Sequence, residues 1–190
     1  MFKIIFVLIL SLLSVQVWAS GTMTKSEFDN VEKKAIETEA DRKNIEQVAV
    51  TLASYEFEAS KLVDFVNEQQ ARETIDEQAR QMMNLSEKVL DWGRFRLAQC
   101  DEYITRSLQL RDHLGSITHA SLESDYHHDG LLPEAPPECY HMKDLFVHPA
   151  TVLVLTRDDP AMNNETRNNI KAEITEVLAH AEVVRQLVLY

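Results

Sequence analysis

Glycine is scarce in this 190-residue chain, with four in total and none clustered. A phosphate-cradling loop or a dinucleotide fingerprint needs several glycines where backbone approaches ligand, so both are excluded. The sequence also lacks Gly-x-Ser-x-Gly, His-Glu-x-x-His and Cys-x-x-Cys-His. Those absences remove the nucleophile elbow, the zincin helix and covalent haem attachment. Cations are short as well: 19 Lys and Arg stand against 31 Asp and Glu, a net charge of −12. Nucleic acid and anionic lipid are bound by clustered cations, so neither is an expected partner. The carboxylates lie on charged faces and read as solvated surface, so the expectation is a non-enzymatic protein without a cofactor.

Long apolar runs are confined to the start. Lys3 is followed by an almost unbroken apolar stretch from Ile4 to Leu13, and Val17-Trp18-Ala19 ends in small-residue fashion. That order predicts a signal peptide over 1–19, cleaved after Ala19, and an acidic mature chain that is periplasmic or secreted. No membrane association is expected after cleavage, because Leu145 to Leu155 is short and interrupted by His148 and Pro149.

What is abundant is helix pattern, which predicts an all-α domain over 20–190. One long helix is expected over about 26–69, opened by the capping-box pattern Thr24-x-x-Glu27. Ile45, Val48, Leu52, Tyr55, Ala59, Leu62 and Val66 recur in threes and fours, a coiled-coil-like heptad stripe. Between Glu32 and Lys43 eight of twelve residues are charged, so that part belongs in solvent. A second long helix is expected over about 75–121, with Thr74-x-x-Glu77 at its start. Met83, Leu90, Leu97 and Ile104 fall seven apart, as do the small residues Ala79, Ser86, Gly93, Cys100 and Ser107. Small side chains on one seam let two helix backbones approach, which gives Gly93 a packing role.

A loop is expected over about 122–141, where Asp125 to Gly130 is followed by Pro133, Pro136 and Pro137. Helical segments are expected over about 142–157 and 160–188. In the first, Pro149 biases His148 toward an extended backbone, so a helix opening at Pro149 competes with a short strand from Val152 to Leu155. The second opens on Asp159-Pro160 and carries Ile170, Ile174, Val177, Ala181, Val184 and Val188. The architecture these elements imply is an elongated antiparallel helical hairpin or bundle with two shorter C-terminal helical segments and a disulfide-pinned proline-rich loop.

Chemistry concentrates between Cys100 and Pro149, which holds both cysteines and six of the seven histidines. Two cysteines in an exported chain predict a disulfide, Cys100 to Cys139. Among the histidines, His127-His128 with Asp129, joined by His141 beyond the prolines, form the candidate metal ligands. The simpler reading of this cluster is a solvated polar turn, since adjacent side chains in a turn point apart. His141 and His148 would stand about 10 Å apart on one helix, too far for a single ion. Met82, Met83, His113 and His180 are the residues a non-covalent haem would need, and Met at helical spacing reads as core. The expected role is therefore an interaction or structural protein that meets a protein partner, or itself, through helical faces. The alternative is a periplasmic metal-binding or metal-sensing module.

Overall fold

A computed structural model describes residues 23–190, so the expected signal peptide over 1–19 and the expected cleavage after Ala19 lie outside the described residues. All regular structure among the described residues is helical. Four long helices carry the fold: α2 (Glu39–Asn67), α3 (Arg72–Arg96), α6 (Pro137–Asp158) and α7 (Asn164–Leu189). Three short ones precede or separate them: α1 (Lys25–Asn30), α4 (Asp101–Leu108) and α5 (His119–Leu122).

The apolar stripes become the core. Every stripe residue of α2 from Val48 to Val66 is buried, and so is every one of α7 from Ile170 to Val188. α2 packs on α3 and α7, and α6 on α3 and α7, closing a four-helix ring. Neighbours run antiparallel: Arg185 meets Glu56 at 2.6 Å near one end of the α2–α7 pair, and Lys171 meets Asn67 at 3.1 Å near the other. The heptad seams are thus used inside the bundle.

The first long helix is broken in two. Residues 31–38 are not helical, and Lys34 N donates to the Arg96 carbonyl at 2.8 Å while the Arg96 guanidinium donates back to Lys34. This charged stretch has no apolar face to bury, so helix resumes only where Thr38 and Asp41 form a capping box and the stripe begins. Thr24 and Glu27 do cap α1 as their spacing predicts.

The second helix ends sooner and starts earlier than expected. Its N-cap is Ala71, so Thr74-x-x-Glu77 lies inside the first turns and caps nothing. At the far end buried Leu97 takes φ −124 and ψ 74, turning the chain off the bundle axis. Short turns follow, Ala98–Cys100, α4 and Gln109–His113, and these lie across α6. Gly93 sits where α3 meets α6: a Cβ there would come 2.1 Å from Met142 Cε.

The expected loop over 122–141 holds regular structure at both ends. Glu123–His127 is one turn of π-helix, and α6 begins at Pro137, with proline in its first turn. Gly130 returns close along that π turn, donating to the Ser124 carbonyl at 2.9 Å; a Cβ would stand 2.6 Å from the same oxygen. The expected Cys100–Cys139 disulfide is present and joins the turn before α4 to the start of α6.

Neither a strand nor a helix start occurs at Pro149, because α6 runs straight through it. Proline lacks the amide that would bond the Leu145 carbonyl. Tyr55 of α2 replaces it, its hydroxyl donating to Leu145 O at 2.7 Å. The turn to α7 is also different in detail. Asn163, not Asp159, is the N-cap, while Asp159 accepts from Asn163 N at 2.8 Å and from the Thr166 hydroxyl at 2.7 Å.

Candidate metal centre between the two C-terminal helices

α6 is buried all round. Every residue from Met142 to Thr156 is inaccessible, with α3 and α7 on its inner sides and the 101–127 segment over its outer side. Apolar residues suit that position, yet Lys143, Asp144, His148 and Thr151 are among those enclosed. Polar groups without water must find partners within the protein. They find them on α7 and on the π turn.

The spacing that aligns these groups is helical. His141, Asp144 and His148 occupy one face of α6 at steps of three and four, and Glu173, Glu176 and His180 do the same on α7. The antiparallel register sets His141 beside His180, Nδ1 to Nδ1 at 2.8 Å, and His148 beside Glu173, Nδ1 to Oε2 at 2.7 Å. From the π turn, His127 Nε2 approaches Glu173 Oε2 at 3.6 Å and Glu123 Oε1 at 3.7 Å. Asp144 Oδ2 lies 3.4 Å from His180 Nε2. The imidazoles of His127, His148 and His180 follow one another at centroid spacings of 4.9 and 5.4 Å.

Thr151 Oγ1 lies 2.9 Å from His127 Nε2 and 3.1 Å from the Val147 carbonyl; its one proton can serve either acceptor, so His127 Nε2 is open to the unprotonated form. His148 Nδ1 donates to Glu173. Glu123 Oε1 is buried and makes no hydrogen bond among the described residues.

Electrostatics divide the histidines. Burial, reinforced by His148, pushes His127 down to about 4. Burial likewise holds His180 at about 4 and lowers His141. His148 moves the other way: burial opposes its charge, but the bond to Glu173 and the nearby Asp144 outweigh burial and raise its pKa. Glu173 and Asp144 are lowered despite burial, the first by His148 and the second by Lys143 and His148. Glu123 is raised by burial and then by Glu173. Most of the imidazoles are neutral near pH 7, the form that binds metal.

Three groupings bring one donor atom from each member within 4.8 Å of the others: His127, Asp144 and His148; His148, Glu176 and His180; Glu123, His127 and Glu173. Ligands about 2.1 Å from an ion stand roughly 3.4 Å apart in a tetrahedron, so small side-chain movements suffice to close each set.

Of the four ligands proposed from sequence, only His127 enters these groupings. His128 follows it in the chain and is exposed. Asp129 faces away, accepting from Lys143 Nζ at 3.0 Å and from Tyr103 at 2.5 Å. His141 orients His180 from behind. His180 of α7 stands against both His141 and His148, with ring centroids 5.1 and 5.4 Å away. Sequence reasoning missed Glu123, Asp144, His148, Glu173 and Glu176 as ligands and assigned His180 only to a haem. A signal existed: carboxylate-x-x-x-histidine occurs as Glu123/His127, Asp144/His148 and Glu176/His180.

Compared with protein-family models, curated proteins and solved structures, the chain has no match in any of the three. No helix among the described residues is long and apolar enough to cross a membrane.

Proposed function

We propose that this chain is an exported, non-enzymatic four-helix bundle that binds divalent transition-metal ions in the seam between α6, α7 and the π turn. One observation carries the reading. The carboxylates Glu123, Asp144, Glu173 and Glu176 alternate with His127, His148 and His180 in a seam with Glu176 at its exposed edge, and Lys143, which Asp129 and Asp144 share, is the one ammonium beside them among the described residues. Carboxylates gathered away from water repel one another, and a bound cation offsets that cost. Mixed imidazole and carboxylate donors suit Zn²⁺, Co²⁺, Ni²⁺ or Mn²⁺. The hydrogen bond from His141 to His180, and the ion pair of Lys143 with Asp144 Oδ1 at 3.3 Å, are outer contacts of the kind that orient such ligands.

Export is part of the proposal. The leader-like start motivates it, and a disulfide suits an oxidising compartment. Partner binding through heptad seams has lost its motive, since those seams are filled within the bundle.

Calorimetric titration of the metal-stripped protein with Zn²⁺, Co²⁺ and Ni²⁺ tests the function. Submicromolar binding, abolished in His148→Ala while the helical circular dichroism is kept, is the expected result. Millimolar binding unaffected by that substitution overturns it.

A further inference from the structure

We infer that the seam holds two divalent ions at once, in two chemically unequal sites; this rests on the metal-binding reading above. Two of the three groupings share no residue. One is Glu123, His127 and Glu173, spanning the π turn and α7; the other is His148, Glu176 and His180, spanning α6 and α7. Both can therefore be filled together. The third, His127, Asp144 and His148, takes one residue from each and competes with both.

Charge favours double occupancy. Lys143 lies 3.0 Å from Asp129 and 3.3 Å from Asp144, which leaves Glu123, Glu173 and Glu176 as the cluster's carboxylates without an ammonium partner among the described residues. Their three charges exceed what one divalent cation neutralises, and a second cation offsets the remainder. Glu123 Oε1, buried without a hydrogen bond, is an acceptor already stripped of water on the π-turn side.

The two sites differ in donor chemistry. The π-turn site offers two carboxylates and one imidazole. The α6–α7 site offers two imidazoles and Glu176, with Asp144 Oδ2 standing 3.4 Å from His180 Nε2 as a fourth donor. Nitrogen-rich sets favour Zn²⁺, Ni²⁺ and Cu²⁺, and oxygen-rich sets tolerate Mn²⁺. The sites are also joined. Glu173, a donor to the first ion, accepts from Nδ1 of His148 at 2.7 Å, leaving Nε2 of that ring for the second. Filling one site thus fixes a ligand of the other, in the way outer-sphere carboxylates fix metal-bound histidines.

Cadmium-113 NMR and native mass spectrometry of the full, disulfide-intact, metal-stripped protein titrated with Cd²⁺ test this. The expected result is two bound equivalents and two resonances, the nitrogen-rich one downfield. His180→Ala should remove that resonance and one equivalent, and Glu123→Gln should remove the other. Saturation at one equivalent, with both substitutions weakening the same resonance, overturns the two-ion arrangement and leaves metal binding standing. No bound cadmium overturns both. Should either variant fail to fold, the stoichiometry and resonance count of the unsubstituted protein decide alone.

Discussion

α2 and α6 occupy equivalent corners of the same bundle, yet they are built differently. α2 buries a stripe and leaves the rest of its surface to water, with Val50 and Phe57 more than half exposed. α6 has no outer face, because the chain between Leu97 and Pro136 is laid across it. A helix with one wet side can keep its charges there. A helix covered on every side must either be wholly apolar or pair its charges internally, and α6 does the second. The charged groups of α6 are thus the product of the cover as much as of the helix.

Removing the tie that holds the cover should have the largest effect. Cys100→Ser with Cys139→Ser opens a loop with a sequence separation of 39, worth about 4 kcal/mol in the chain-entropy view. Urea unfolding should show that loss, and metal affinity should fall with it because the π turn loses its anchor. Breaking the α2 side instead should separate the two halves. Leu62 is fully buried, so Leu62→Ala should cost about 3 kcal/mol in the same assay while the folded protein binds metal unchanged. A third substitution acts across the divide. Tyr55→Phe leaves the Leu145 carbonyl without a partner beside Pro149, at a cost of about 1–3 kcal/mol, again by urea unfolding. The smallest effect on stability is expected at His141, which touches the site only through His180. His141→Phe should leave unfolding within about 0.5 kcal/mol and weaken the α6–α7 ion roughly 10- to 100-fold by calorimetry.

The same contrast explains what the sequence could reveal. Stripes announce themselves, and Val48 to Val66 and Ile170 to Val188 are read correctly as core because one apolar line faces one interior. Helix ends set by tertiary contacts are not written locally: Leu97 breaks α3 with neither glycine nor proline beside it. Pro149 misleads for a related reason, since its missing hydrogen bond is repaired by Tyr55, which reaches the Leu145 carbonyl from 90 residues earlier in the chain. The site was legible only at its edge. His127 and His141 stood out by composition, but their partners on α7 lie far downstream and become neighbours only through the antiparallel register. The recurring four-residue step from carboxylate to histidine was the one local trace of it.

The disulfide also divides the donors topologically. Residues 100–139 and the sulfur bridge form a closed ring of covalent bonds that includes Glu123 and His127. Glu173, Glu176 and His180 hang outside it, reached only through α6 and the Asp159–Asn163 turn. A protease that cuts the covering segment once opens the ring but frees nothing, and the two pieces migrate as one species until reductant is added. A single cut in the turn before α7 instead detaches half the donors under denaturing conditions, reduced or not.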